Sequence, residues 1–322
     1  MNLHPSPPRL LADIGGTNAR FAWQDAERTP LRDVATLACA EYDTLGDAVT
    51  QYLASLGRVA PPWCAIGIAT PITGDWVQMT NHHWSFSIAA LQRQMGFERL
   101  KVINDFTALA LALPELPAHE LRQVGGAAAV ADAPLALIGA GTGLGVSGLL
   151  PTGERGRWVP LQGEGGHVSL AAVNAREAAV LQFLRDRYGH ASAERAVSGA
   201  GLEQLHAALC AIDGSHACGE LSAAEITERA LNGASMQCKE ALDLFCCFLG
   251  NVAGNLALTL GAVGGVYIGG GIVPRLGEVF ARSPFRSRFE DKGRFRGYLA
   301  GIPVFVIHAS VSPALLGVSR AL

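Results

Sequence analysis

The sequence has little charge and lacks the features of a secreted or nucleic-acid-binding protein. Only 16% of its 322 residues are charged and the formal net charge is −3. We therefore expect neither nucleic acid nor a membrane as a partner, because nothing attracts the chain to an anionic surface. Residues 1–8 contain three prolines and no apolar run, which is not typical of a signal peptide and predicts a loose tail.

Metal-binding cysteine motifs are also missing. The seven cysteines are scattered, and no two of them form a Cys-x-x-Cys pair. Without that spacing we expect no structural zinc site. Scattered cysteines, odd in number, favour reduced and buried thiols in a cytoplasmic protein.

A long stretch without charge, residues 244–274, could be mistaken for a membrane span. Asn251, Asn255 and several glycines interrupt it, whereas a membrane-spanning helix needs about twenty mostly apolar residues. The pattern predicts a buried helix from Ala234 to about Leu260, followed by a buried strand over Val263–Ile268.

The remaining pattern indicates two α/β halves. A chain with 49% hydrophobic residues and 38 glycines can bury two compact cores. Strands and helices alternate up to residue 113, and a second strand with a glycine-rich turn begins after Pro114. This order predicts α/β sheets with ligands at the carboxyl ends of the strands, and a joint between the halves near residues 113–119.

The first glycine turn lies in Leu10–Arg20. A short apolar strand reaches Asp13, turns at Gly15 and Gly16, and continues as an alternating strand. Glycines at positive φ would leave their N–H groups uncovered, and successive uncovered N–H groups bind anions. An ordinary β-hairpin with a glycine turn stays open as an alternative.

Two common nucleotide-binding signatures do not apply. No Gly-x4-Gly-Lys-Ser/Thr sequence occurs, so there is no Walker A motif. Gly143, Gly145 and Gly148 have the Gly-x-Gly-x-x-Gly spacing, but no helix is predicted after them. A dinucleotide-binding fold is therefore rejected.

Several side chains could carry chemistry. Asn104 and Asp105 lie where a strand meets a helix, a position also typical of a helix cap. Glu164 and His167 are separated by glycines, and Glu194 by itself would be an ordinary carboxylate on a helix surface. Together they form a set rich in hydrogen-bond acceptors, which suits a polyhydroxylated ligand.

Seven motifs together resemble bacterial ATP-dependent glucokinase, in its order and spacing, over nearly the whole chain. They are Asp13–Arg20, Pro71–Trp76, Ile103–Thr107, Gly139–Gly145, Gly163–His167, Ser192–Arg195 and Gly269–Pro274. The cysteine-rich zinc motif of the ROK-type sugar kinases is absent, so the chain is similar to the proteobacterial group. Ala12 departs from the pattern, which has glycine ahead of the aspartate.

The resemblance implies an α/β fold of two ribonuclease H-like (actin-like ATPase) domains with a central cleft. It implies a small domain of residues 1–115 plus 309–322 and a large domain of residues 116–308. The implied reaction is the phosphorylation of D-glucose by ATP at its 6-hydroxyl, giving glucose 6-phosphate and ADP, the first step of glucose catabolism. ATP and Mg²⁺ are the implied cofactors, glucose and ATP the small-molecule partners, and a cytoplasmic homodimer the implied form.

The resemblance also implies roles for single residues. Asp105 would be the general base for the 6-hydroxyl proton, and Asp13 would lie near Mg²⁺, through water. Sugar-binding residues would be Asn104, Asp105, Glu164, His167 and Glu194. Nucleotide-binding residues would be Ala12, Asp13, Ile14, Gly15, Gly16, Thr17, Asn18, Gly139, Gly141, Thr142 and Gly143, with Gly270 and Gly271 near the adenosine.

Three other functions remain open. A kinase for a related hexose or amino sugar would differ by one or two hydroxyl contacts. A non-catalytic sugar sensor would carry a DNA-binding helix pair, for which there is no room ahead of Leu10. A chaperone-like or filament-forming ATPase would keep the glycine turns but lack the acceptor set.

Overall fold

A computed structural model describes residues 6–154, 156–215, 219–309 and 312–322. The chain divides into two compact units, the first made of Met1–Pro117 with Ala309–Leu322 and the second of Ala118–His308. Most of the predicted N-terminal tail, residues 1–5, lies outside the described residues, as does Cys218.

Among the described residues, the first unit has seven strands: β1 (Arg9–Ile14), β2 (Asn18–Gln24), β3 (Arg32–Ala38), β4 (Trp63–Ile68), β5 (Trp76–Gln78), β6 (Ser85–Ser87) and β7 (Arg99–Asn104). Five of them form a sheet in the order β3-β2-β1-β4-β7, and β5 pairs with β6 separately. Strands β1, β4 and β7 are parallel, so their carboxyl ends lie at one edge of the sheet.

Four helices cover this sheet: α1 (Leu45–Ser55), α2 (Ile88–Met95), α3 (Asp105–Ala112) and a C-terminal helix (Pro313–Ser319). Because successive strand residues point to opposite faces, Leu10 lies in the core with α1 and α2, whereas Leu11 packs with α3 and the C-terminal helix. A capping box formed by Thr44 and Asp47 starts α1.

Six strands form the sheet of the second unit: β8 (Leu121–Gln123), β9 (Leu135–Ala140), β10 (Leu144–Pro151), β11 (Trp158–Gln162), β12 (Val266–Gly269) and β13 (Val304–Ile307). Their order is β11-β10-β9-β12-β13-β8, with β9, β12 and β13 parallel and the others antiparallel. The glycine-rich turn between β9 and β10 thus joins antiparallel neighbours, which confirms that no dinucleotide-binding helix follows it.

In the described part of the second unit there are eight α-helices: α4 (Ala175–Tyr188), α5 (Gly199–Ile212), α6 (Ala223–Leu231), α7 (Met236–Leu260), α8 (Val273–Leu276), α9 (Glu278–Arg282), α10 (Phe285–Glu290) and α11 (Arg296–Gly301). Helix α7 is long and apolar enough to cross a membrane, but 78% of its most apolar window is buried inside the fold. The predicted buried helix is therefore confirmed as part of the core.

Two expectations about the second unit are wrong. The buried strand that follows α7 begins at Val266 instead of Val263, because Gly265 has a φ of +122° and ends the turn between them. The expectation of reduced thiols fails for Cys210, which is disulfide-bonded; sequence spacing does not show which thiols a fold brings together. Cys39, Cys64, Cys238, Cys246 and Cys247 are free and buried, as expected.

Candidate active site

The turn after β1 has the uncovered N–H groups that the sequence predicts, but its glycines do not have the conformation that was expected to leave them uncovered. Neither Gly15 nor Gly16 has a positive φ, so that part of the prediction is wrong. Gly16 instead lies in close packing, since a Cβ there would lie only 3.0 Å from the carbonyl oxygen of Asn81. The Gly15 N–H bonds Asn18. Within the described residues, the N–H groups of Gly16 and Thr17 have no hydrogen-bond acceptor.

Asn104 fixes the start of α3. Its Oδ1 accepts hydrogen bonds from the N–H groups of Phe106 at 2.9 Å and Thr107 at 3.2 Å, so the helix-cap interpretation is correct for this residue. Its Nδ2 donates to Asp105 Oδ1 at 3.0 Å and to the carbonyl of Thr70 at 3.4 Å. Asn104 therefore caps the helix and also orients the carboxylate beside it.

Asp105 is the first residue of α3, at the carboxyl end of β7. Burial, with a smaller contribution from the charge of Asp13, raises its pKa to about 6 against the opposing effect of hydrogen bonds from Phe106 and Asn104. A carboxylate with a pKa near the working pH of a cell can accept a proton in a reaction. The register places Asn104 level with Ile68, and Ile68 level with Ile14, so this carboxylate lies at the same sheet edge as the first turn.

Asp13 is mostly buried, and its carboxylate is held through one oxygen. Asp13 Oδ2 accepts hydrogen bonds from Ser312 Oγ at 2.6 Å and from Arg20 Nη1 at 3.3 Å. The described residues contain no group of three His, Cys, Asp or Glu side chains that could hold a metal ion. A Mg²⁺ ion fits one carboxylate of this kind, because it keeps several waters and takes most other ligands from phosphates.

The unusual residue Ala12 does not obstruct the turn. Its side chain is fully buried in the core with Leu10 and Ile14. Its backbone pairs with Phe21 and Ile66 inside the sheet. The extra methyl group therefore fills core space and does not approach the turn.

The glycine turn of the second unit, residues 141–143, resembles the first one in its free N–H groups. The Gly141 N–H bonds the carbonyl of Gly143 at 2.8 Å, while the N–H groups of Thr142 and Gly143 have no acceptor among the described residues. Nothing lies within 4 Å of a Cβ built on Gly141. Gly139 precedes the turn inside β9.

Glu194 lies against this turn and not on a helix surface, so that interpretation is wrong. Its Oε2 accepts a hydrogen bond from the Leu144 N–H at 2.9 Å, and a Cβ on Gly143 would lie 2.5 Å from the same oxygen. Its backbone N–H donates to the carbonyl of Gly166 at 2.8 Å. The turn thus fixes one carboxylate oxygen of Glu194. The backbone of Glu194 in turn holds the segment that follows β11, through Gly166.

The glycines between Glu164 and His167 are required by packing. A Cβ on Gly166 would lie 2.1 Å from the carbonyl oxygen of Leu144, and one on Gly165 would lie 2.7 Å from Val146. Residues Gly165–His167 form a short 3₁₀ turn, and the side chains of Glu164 and His167 are exposed. The structure therefore brings Glu164, His167 and Glu194 to one region of the second unit.

Gly270 lies at the end of the neighbouring strand β12. It has a φ of +78°, and a Cβ there would lie 2.3 Å from the carbonyl oxygen of Ala140. Ile272 donates its N–H to that same carbonyl at 3.3 Å. Gly271 is open, with nothing within 4 Å of a Cβ position. Both glycines thus lie beside the end of β9, where the turn at 141–143 begins.

Known proteins with similar sequences identify the family. The sequence profile of the family described as Glucokinase matches residues 10–322. A glucokinase of Chromobacterium violaceum is 57% identical over 315 residues, which cover 98% of this chain and 89% of the relative. The chain belongs to the glucokinase family.

Solved glucokinase structures have the same fold. A glucokinase from an Antarctic psychrotroph is 36% identical with a TM-score of 0.88, and the match covers 98% of each chain. A glucokinase of Balamuthia mandrillaris, solved in complex with glucose, has a TM-score of 0.80 at 22% identity over 98% of this chain and 93% of that one. The prediction of two α/β domains of the actin-like ATPase type is confirmed.

Membership of the glucokinase family gives the activity. The chain is an ATP-dependent enzyme that phosphorylates glucose, as its motifs predict. It is a soluble enzyme, and the long apolar helix α7 is part of its core.

Two contacts near Asp13 and Asn104 were not predicted from the sequence. Ser312 reaches Asp13 from 299 positions away in the chain. Thr70, which accepts from Asn104, donates its hydroxyl to the carbonyl of Gln78 at 2.9 Å and so connects α3 to the β5–β6 pair. The Pro71–Trp76 motif marked this region, but no pattern of residues indicated either contact.

Proposed function

We propose that Asp105 is the general base of glucokinase catalysis in this chain and accepts the proton of the glucose 6-hydroxyl. The observation that carries the proposal is its pKa, which burial raises to about 6. A base of this strength is ionised at neutral pH, and it can still accept a proton as the oxygen attacks phosphorus. Asn104 donates to its Oδ1 at 3.0 Å, so the carboxylate already has a fixed orientation.

The other acceptors serve the remaining sugar hydroxyls in this proposal. They are Asn104, Glu164, His167 and Glu194. Each sugar hydroxyl can donate one hydrogen bond, and carboxylates or imidazoles accept such bonds well. Glu194 is held through Oε2 by Leu144, which supports its use as a fixed acceptor.

The two glycine turns hold the phosphates of ATP. The free N–H groups of Gly16, Thr17, Thr142 and Gly143 support this assignment, because successive free N–H groups attract anionic oxygens. The assignment covers residues 12–18 together with Gly139, Gly141, Thr142 and Gly143. Gly270 and Gly271 lie near the adenosine in this proposal. The open position of Gly271, which has nothing within 4 Å of a Cβ, supports it.

Asp13 contributes a carboxylate oxygen toward Mg²⁺, through water. When bound, Mg²⁺ supplies positive charge that neutralises the phosphate oxygens. The protein orients the attacking hydroxyl, holds the phosphate chain with backbone N–H groups and takes up the hydroxyl proton at Asp105. In phosphoryl transfer such positioning and charge stabilisation supply most of the catalysis.

The pH dependence of the native enzyme tests the role of Asp105. We expect kcat/KM for glucose to fall below a pH of about 6, tenfold for each pH unit, because the protonated carboxyl cannot accept a proton. The measurement is a coupled assay of glucose 6-phosphate between pH 5 and 9. A profile that stays flat down to pH 5 would rule out this base. Running the same assay with mannose and amino sugars tests the specificity for glucose.

The resemblance also supports a cytoplasmic homodimer, with one domain made of residues 1–115 plus 309–322 and the other of residues 116–308. Analytical ultracentrifugation at micromolar concentration tests the dimer. If the protein sediments as a 33.7 kDa monomer at all micromolar concentrations tested, the dimer is contradicted.

A further inference from the structure

The C-terminal helix is fixed very closely against α3. A Cβ on Gly317 would lie 1.6 Å from the carbonyl oxygen of Ala108, so no larger residue fits there. Gly67 of β4 faces the same contact, since a Cβ there would lie 3.0 Å from Val318 and 3.1 Å from Ala108. This packing determines where the helix begins. Its first turn therefore comes to lie at the sheet edge that holds Asp13.

Ser312 precedes this helix and contacts Asp13 directly. Its hydroxyl donates to Asp13 Oδ2 at 2.6 Å, a length typical of a hydroxyl bonded to an ionised carboxylate. Ser312 makes no side-chain hydrogen bond that caps its own helix. Its hydroxyl is thus used for the carboxylate, although serine at this position usually caps.

Both donors on Asp13 engage the same oxygen. Arg20 Nη1 also contacts Oδ2, at 3.3 Å, and its side chain is 44% exposed. Within the ranges that the structure describes, no donor contacts Oδ1. A carboxylate with one oxygen fixed can rotate little, so the direction of the other oxygen is fixed as well.

We propose that Ser312 is a positioning residue for Asp13: its hydroxyl holds one carboxylate oxygen so that the other is directed toward the hydrated Mg²⁺ of bound nucleotide. The inference rests on the proposed function of Asp13 and extends it to a residue that does not touch the metal or the substrate. Groups that hold a metal-directed carboxylate typically change metal affinity about 10- to 100-fold when they are removed.

Binding of ADP measured by calorimetry, with and without Mg²⁺, tests the inference without relying on turnover. We expect Ser312→Ala to reduce the gain in ADP affinity that Mg²⁺ provides by about tenfold. Affinity for metal-free ADP and for glucose should stay within about twofold, since the variant keeps both turns intact. Ser312→Thr keeps the hydroxyl and should restore most of the gain. Ser319→Ala is the matched control, because this serine lies in the same helix and bonds only Leu316.

Asp13→Asn separates the two possible failures. If Asp13→Asn loses the Mg²⁺-dependent gain but Ser312→Ala keeps it, the role of Ser312 is overturned and that of Asp13 stands. If Asp13→Asn also keeps the gain, the proposed function of Asp13 fails and the inference fails with it. An equal loss in Ser312→Ala and Ser319→Ala would indicate a general effect of the helix, which also overturns the proposal.

Discussion

Replacing Asp105 with asparagine should make the enzyme slower and more stable at the same time. The substitution keeps an oxygen that can accept from the Phe106 N–H, which lies 2.9 Å from Oδ1. It removes the base, which typically contributes about 10²–10⁴-fold to the rate, or about 3–5 kcal/mol of barrier. We therefore expect kcat to fall by that factor, while the dissociation constant for glucose changes by less than about fivefold.

The gain in stability follows from the pKa of the same group. In the folded enzyme burial raises the pKa from 3.8 to about 6, so between these values the folded protein binds a proton that the unfolded chain has released. Stability consequently falls as the pH rises through this window, and above pH 6 the full cost of the buried charge is present. The shift corresponds to at most about 3 kcal/mol, and to about 1–3 kcal/mol for a half-buried group that solvent partly screens.

Urea unfolding followed by tryptophan fluorescence at several pH values measures this cost. At pH 7.5 we expect Asp105→Asn to be more stable than the native enzyme by about 1–3 kcal/mol, and the difference should vanish toward pH 4. Native-like turnover in the variant would refute the assignment of the base. A stability difference that is the same at pH 4 and pH 7.5 would refute the argument from burial.

Three further substitutions test the glycine turn of the second unit, the sugar site and the core. Gly141→Ala should fold normally, because nothing lies within 4 Å of the added Cβ. It should raise the KM for ATP about tenfold or more in steady-state assays, because the added methyl group blocks the approach of phosphate. An unchanged KM would show that this turn is not part of the nucleotide site. Glu194→Gln keeps an acceptor for the Leu144 N–H, so its melting temperature should change little. Its dissociation constant for glucose, measured by calorimetry, should rise about tenfold. Unchanged glucose affinity would argue against a role of Glu194 in sugar binding. Glu177→Ala should cost about 3–5 kcal/mol in urea unfolding, because Glu177 is 1% exposed and its loss leaves Arg288, whose side chain is 13% exposed, without this partner. Glu240→Ala removes a more exposed ion pair and should cost less than about 1 kcal/mol. Equal costs for the two would contradict this reasoning.

Local features of the fold could be predicted from the sequence. The first hairpin, the cap by Asn104 and the long helix α7 all lie where the pattern indicates them. These features depend on neighbours within a few residues, which a sequence displays directly.

Features that depend on distant contacts could not be predicted. Distant backbone passes close to Gly16 and leaves no room for a Cβ on Gly166, and neither constraint shows in the sequence. Taken by itself, Glu194 resembled an ordinary carboxylate on a helix surface, but its carboxylate bonds a turn fifty residues earlier. Helix α5 begins with two glycines and an alanine, which do not indicate a helix start, although Ser198 caps it. The bond from Ser312 to Asp13 had no signal in the sequence at all.

The contact between Gly317 and Ala108 has a consequence for the order of biosynthesis. The ribosome makes residues 1–117 first, yet their unit gains its last helix only when residues 313–319 emerge. Until then the face of the sheet that carries Leu11 and Ala65 has no C-terminal helix to cover it. Residues 118–308, which form the second unit, leave the ribosome before that helix. The newly made amino-terminal unit therefore reaches its final packing only after residues 313–319 have emerged.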